Sequence, residues 1–92
     1  MELRASHILV KDKSLADEIA KKAKGGESFV ALAKKYSSCP SKSKGGDLGW
    51  FKSGQMVPAF ERAVMKMPNG KISDPVRTQF GYHIIKKTGV RD

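Results

Sequence analysis

Two short apolar segments at opposite ends of the chain each carry a central histidine: Ser6-His7-Ile8-Leu9-Val10 and Tyr82-His83-Ile84-Ile85-Lys86. Both read as strands, the first spanning Leu3 to Val10 with Leu3, Ala5, His7 and Leu9 on one face. If they are neighbours in a sheet, His7 and His83 come together in the sheet itself rather than on a mobile loop. A histidine between aliphatics needs a hydrogen-bond partner when buried, and the other histidine supplies one. With 92 residues there is room for a single core, so residues 1–92 are expected to form one domain.

Between the two strands the periodicity changes. Ser14 before Leu15-Ala16-Asp17 has capping-box spacing and opens a helix with Leu15, Ile19 and Ala23 along one stripe, stopped at Gly25-Gly26. Ser28 is placed to cap a second helix, in which Phe29, Leu32, Ala33 and Tyr36 recur at helical spacing. Residues 37–46 read as a Ser-, Lys-, Gly- and Pro-rich loop with room for an extra helical turn. Asp47 to Phe51 is a strand candidate bent at Gly49. Pro58 opens a third helix with Phe60, Ala63, Val64 and Met67 on its inner stripe, ended by Asn69-Gly70. Val76 to Thr88 holds two strands joined near Gln79-Phe80-Gly81. The order βααβαββ does not alternate as a parallel sheet requires, so the expected class is α+β, with helices around an antiparallel sheet.

Composition removes several classes of function. The longest apolar runs are too short to span a bilayer, and no membrane association is expected. Met1-Glu2-Leu3-Arg4 lacks the apolar stretch of a signal peptide, so a cytoplasmic location is expected; a monomer is expected as well. One cysteine, Cys39, and two histidines make neither an internal disulfide nor a structural zinc site, so no metal is expected. The net charge of +9 attracts acidic partners, and weak electrostatic contact with nucleic acid or the ribosome follows from it. No basic run with interleaved aromatics marks a dedicated nucleic-acid site, and the plain reading is a solvated lysine surface.

Four pieces together carry a resemblance. Ser6-His7-Ile8-Leu9-Val10, Gly45-Gly46-Asp47-Leu48-Gly49 with Phe51, Gly54-Gln55-Met56-Val57-Pro58-Ala59-Phe60-Glu61, and Gln79-Phe80-Gly81-Tyr82-His83-Ile84-Ile85-Lys86 resemble the parvulin prolyl isomerases in order and spacing. The resemblance covers nearly the whole chain. It implies a four-stranded antiparallel sheet surrounded by helices, a shallow peptide groove, and cofactor-free isomerisation of X-Pro bonds in proline-containing polypeptides. It also implies site residues: His7 and His83 as a central pair, Cys39 beside the reacting amide, and Leu48, Met56 and Phe60 as walls of a proline pocket. Thr78 would support the histidines, and Phe80 would make one wall of the groove apolar. The long basic loop of phosphate-dependent relatives is replaced by Lys11-Asp12-Lys13, and only Lys11 matches one of its cationic positions. No phosphate requirement is therefore expected.

Other readings of the same residues stand beside this one. The histidines can be chiefly structural, cross-linking two strands, and Leu48, Met56 and Phe60 can be core. Cys39 with two histidines also suits a nucleophilic hydrolase, although no orienting carboxylate or oxyanion loop accompanies it. A non-catalytic module binding acidic protein or nucleic acid through the groove or the lysines is the remaining alternative.

Overall fold

The computed structural model describes residues 1–92. In chain order its elements are β1 (Glu2–Val10), α1 (Lys13–Lys24), α2 (Phe29–Tyr36), a short 3-10 helix (Pro40–Lys44), β2 (Asp47–Lys52), α3 (Pro58–Lys66), β3 (Val76–Thr78) and β4 (Gly81–Arg91). The four strands form one antiparallel sheet in the order β2-β1-β4-β3, so the first and last long strands lie at its centre, as expected for an α+β fold. No helix is long and apolar enough to cross a membrane.

The sheet is buried on both faces. Ile8, Val10 and Ile84 point to the side covered by α1 and α2, where Ala16, Ile19, Ala20, Phe29 and Leu32 complete one core. Leu3, Ala5 and Ile85 point to the other side, against Phe60 and Val64 of α3 and Phe51 of β2. Alternation along β1 thus feeds two cores at once, with His7 and Leu9 on the α3 side.

Local chemistry sets the element ends. Ser28 caps α2 by accepting from Ala31 N–H at 3.1 Å, as its position suggests. The start of α1 differs from the capping-box expectation. Asp12, not Ser14, is the cap, its carboxylate accepting from Leu15 N–H at 3.1 Å, and Asp17 pairs with Lys13. A carboxylate two residues earlier outcompetes the serine because it is charged and faces the positive end of the helix. The 37–46 segment does contain a helical turn, opened by Pro40 and closed by Gly45 in the left-handed region. Met67 falls just beyond α3, as its C-cap, and Lys87 reaches across from β4 to donate to its carbonyl at 2.8 Å. At the β1–β2 edge the register slips between Arg4 and Ser6, and Arg4 there donates to both carboxylate oxygens of Asp47.

The glycine at position 46 is required by close approach. Gly46 has φ +88°, and a Cβ there would stand 2.4 Å from the carbonyl oxygen of His7, whose N–H donates to Gly46 O at 2.9 Å. Gly54 has a similar φ of +90° with nothing within 4 Å. Gly46→Ala is therefore expected to lose roughly 3 kcal/mol or more, and Gly54→Ala only the ~1 kcal/mol of left-handed strain. Urea unfolding of the two variants checks this; equal losses would show that the approach to His7 carries no weight.

Candidate active site

The pairing of β1 with β4 places Leu9 opposite His83 and His7 opposite Ile85. The two histidines are therefore diagonal neighbours on one face of the sheet. Their Nδ1 atoms lie 2.8 Å apart and the rings stack at 5.0 Å between centroids. His83 Nε2 lies 2.7 Å from Thr78 Oγ1, which also accepts from Phe80 N–H at 3.2 Å. A polar chain thus runs from the β3–β4 turn through Thr78 and His83 to His7. It ends at His7 Nε2, a buried nitrogen with no protein partner.

Both rings are nearly removed from water, His7 5% and His83 4% exposed. Burial, with the neighbouring ring adding to it, pushes His7 down to about 4, and burial lowers His83 as well. Near neutral pH both rings are neutral, and one proton lies between the facing Nδ1 atoms. Phe60 packs edge-to-face against both, at 5.7 Å from His7 and 5.4 Å from His83, and is itself 3% exposed.

Above this floor opens a cavity of about 260 Å³ lined by His7, Leu9, Cys39, Leu48, Met56, Val57, Phe60, Phe80 and His83. The structure brings His7, His83, Cys39, Leu48, Met56, Phe60 and Phe80 around one space, with Thr78 beneath it as a hydrogen-bond partner of His83. No carboxylate, lysine or arginine lines it. Two lining residues were not among those singled out from sequence. Leu9 was legible, since it lies two positions beyond His7 on the same strand face. Val57 offers no signal beyond its place before Pro58. A larger cavity, lined by Ala23, Lys24, Gly70, Lys71 and Ile72 beside α1, holds none of these groups.

The geometry also decides between roles. The histidine ring nitrogens bond each other and Thr78, and neither ring bonds the Cys39 thiol, so the histidines do not set the hydrogen bonding of the thiol. A nucleophilic hydrolase needs a base within hydrogen-bond reach of its thiol, and that contact is not made here. Cys39 is half-buried at the start of the 3-10 helix, its N–H donating to Ser37 Oγ at 3.3 Å.

The buried histidines make stability depend on pH. The folded state of His7 binds its proton only near pH 4, whereas the unfolded chain binds it from about pH 6.5 downward. Between those values the unfolded state holds more protons, so stability is complete above pH 6.5 and falls as the pH drops. His7 alone accounts for a loss of about 3 kcal/mol by pH 4, and His83 acts in the same direction. This precedes the loss expected from Asp47, whose carboxyl is held below the usual range by Arg4 and the Gly49 N–H. Denaturant melts between pH 7 and 4 are expected to show the decline for the wild type and a shallower one for His7→Gln. A wild-type profile flat to pH 4.5 would contradict it.

Comparison with known proteins identifies the family. The model of the rotamase family, described as the PPIC-type PPIase domain, matches residues 7–89. The chain is 60% identical over 91 residues to the foldase protein PrsA of Bacillus subtilis, covering 98% of this chain and 31% of that protein. It thus spans about a third of the length of such curated relatives. The crystal structure of the peptidylprolyl isomerase PrsA from Bacillus anthracis superposes with a TM-score of 0.97 at 56% identity, over 99% of this chain and 42% of that one. The solution structure of NmPin, the parvulin of Nitrosopumilus maritimus, superposes at 0.85 with 46% identity, over 96% of both chains. A histidine-floored apolar cavity, a parvulin sheet order and a family match over nearly the whole chain converge: the chain belongs to the PPIC-type peptidyl-prolyl isomerases, the parvulins.

Proposed function

We propose that this chain accelerates cis–trans rotation about X-Pro bonds in flexible or unfolded polypeptide segments, without covalent chemistry. The observation that carries this reading is the uncharged apolar cavity seated on the histidine pair, with Cys39 on its wall.

The X-Pro amide has nearly isoenergetic isomers separated by ~18–20 kcal/mol, because rotation breaks amide resonance. No bond is made or broken, so selective stabilisation of the twisted amide suffices. About 7 kcal/mol corresponds to roughly five orders of magnitude. The wall of Leu48, Met56, Val57 and Phe60 offers a ring edge, a thioether and aliphatic carbons to a pyrrolidine ring, and fixes the prolyl side. The carbonyl of the preceding residue then turns. In the planar amide its oxygen carries resonance-donated negative charge, which is lost on twisting. The electron-rich sulfur of Cys39, in a cavity without competing charges, disfavours the planar form by electrostatic repulsion of that oxygen. His7 and His83 hold the floor in shape, and their fixed neutral hydrogen bond keeps it from following the substrate.

No phosphate need precede the proline. Of the Lys11-Asp12-Lys13 segment, Asp12 is committed to the cap of α1 and Lys13 to Asp17, which leaves Lys11 alone as a free cation. A single flexible ammonium is a weak phosphate site compared with paired guanidinium groups.

Exchange spectroscopy on short X-Pro peptides, with cis and trans proline signals resolved, tests the reading. Wild type is expected to accelerate exchange, Cys39→Ala to lower the effect about tenfold or more (~1.4 kcal/mol per tenfold), and Cys39→Asp to retain most of it. Phosphoserine before proline should change the rate by less than about tenfold, the size of one charge-assisted hydrogen bond. Absence of acceleration across several X residues would leave a binding module in place of an enzyme, and a trapped acyl-enzyme would end the non-covalent mechanism.

A further inference from the structure

The cavity is uncharged, but its rim is not. Residues 28–46 run from the cap of α2 through Cys39 to the glycines before β2, and they hold four lysines with no aspartate or glutamate. Lys13, Lys22 and Lys24 on α1, like Arg4 and Arg91, each pair with a carboxylate, and none of these ion pairs falls within the stretch. A run of like charge is usually no more than a solvated face. Its place in the fold decides what this one does.

That place is the cavity mouth. Cys39 and Leu48 both line the cavity, and the segment between them, with the 3-10 helix Pro40–Lys44, joins these two parts of its wall. Lys42 and Lys44 are exposed there. Their backbone is firmly seated. Lys42 N–H donates to Cys39 O at 3.0 Å, Gly46 N–H to Ser41 O at 2.9 Å, and Gly46 O accepts from His7 N–H. Gly45 (φ +69°) is pressed against α2, where a Cβ would meet the Val30 methyls at 2.8 Å. Lys34 follows Val30 by one helical turn on the same face, so it too stands beside the 3-10 helix. Asp47, the first carboxylate after the stretch, is already paired with Arg4. A rigid platform thus carries three exposed, unpaired ammonium groups beside an uncharged site.

At ~2 Å of rise per residue, Lys42 and Lys44 lie about 6 and 10 Å beyond Cys39 along the 3-10 helix. An extended chain covers ~3.3 Å per residue, so it reaches those lysines two or three residues from an amide held at Cys39. We infer that Lys34, Lys42 and Lys44 form a cationic collar at the cavity mouth, which captures polypeptide clients carrying Asp or Glu two or three residues from the proline. The collar rests on the isomerase reading above and adds to it the class of substrate. It divides the work by charge. The uncharged cavity has no partner for a buried carboxylate, whereas the collar meets one in water, where pairing needs little desolvation. Such a carboxylate feels the collar equally with the amide planar or twisted, so the gain lies in capture and not in rotation. Nucleic acid is the poorer fit, because residues 37–46 carry no aromatic ring on which a base could stack.

The test is isomerisation of paired peptides that differ only in Glu or Gln, placed two or three residues before or after an Ala-Pro bond. Each pair is measured at about 0.01 M and about 1 M salt, where the screening length is ~30 and ~3 Å. Wild type is expected to favour Glu over Gln by about tenfold in kcat/KM at low salt, the yield of two or three exposed ion pairs. The gain should appear in KM rather than kcat, and vanish at high salt. Lys42→Gln/Lys44→Gln should bring the Glu-to-Gln ratio to within about threefold of one, whatever its absolute rates. Lys21→Gln/Lys71→Gln removes the same charge beside α1 and should keep the wild-type ratio. A wild-type ratio near one, or an equal fall in both double variants, would overturn the collar while leaving an isomerase. Binding of single-stranded DNA that is lost in Lys42→Gln/Lys44→Gln, with no preference for Glu, would give the lysines to nucleic acid and overturn it as well. No acceleration of any peptide would overturn the isomerase reading and the collar with it.

Discussion

The contact on which most of this molecule depends is a hydrogen bond between two neutral imidazoles. His7 Nδ1 to His83 Nδ1, at 2.8 Å, ties the first strand to the last and forms the floor of the cavity. Such a bond exists only while at least one facing nitrogen is unprotonated, and burial under Phe60 keeps both rings uncharged near neutral pH. The same burial leaves His7 Nε2 without a protein partner, a cost of ~1–3 kcal/mol in a domain whose total stability is of the order of 10 kcal/mol. A core leucine at either position would avoid that cost. The pair instead sets register: a slip of β1 against β4 by one residue would send one histidine to the opposite core, where no polar partner waits.

From that floor the rest of the site follows by connectivity. β4 leads back through a tight turn to β3, so Thr78 lies beneath His83 and Phe80 at the cavity mouth. β1 leads outward to Leu9, and the chain returns after α2 to hydrogen-bond it: Ser38 N–H donates to Leu9 O at 2.8 Å, and Leu9 N–H to Ser37 Oγ at 3.1 Å. Cys39 is thereby carried to the cavity wall by the residues before it. A residue in a polar loop is placed as firmly as one in a strand, because its neighbours complete the hydrogen bonding of β1.

Much of this was legible because strand alternation and helix periodicity are local. The two histidine strands, the stripe of Phe60 and Val64, the cap at Ser28 and the bend at Gly49 each show in a few residues. What was not legible depends on competition or distance. Asp12 and Ser14 are both good caps, and only the structure shows which carboxylate or hydroxyl meets the free N–H groups. The Arg4–Asp47 pair at the slipped edge of β1 and the reach of Lys87 to the end of α3 span many residues, and no spacing announces them. Val57 lines the cavity only because α3 begins beside it. The parvulin resemblance supplied the site where local pattern could not, since Leu48, Met56 and Phe60 are as readily core as pocket.

That ambiguity is physical, and it does not vanish with the coordinates. Phe60 contacts Phe51 and both histidines while walling the cavity, so one side chain is core and site together. A catalyst that needs only a shaped, water-poor surface can be built from the face of its own core, since no charged group has to be buried to run the reaction. The consequence is an uneven division of labour. At the floor, any change that reshapes the site also loosens the fold, so His7, His83 and Phe60 have little freedom to tune substrate choice. At the rim, Phe80 is half-exposed, Met56 is only partly buried and Cys39 is half-buried, so their side chains can be altered at small cost to packing. Differences in specificity between chains of this fold should therefore concentrate at the rim, while the floor and the strand register beneath it stay fixed.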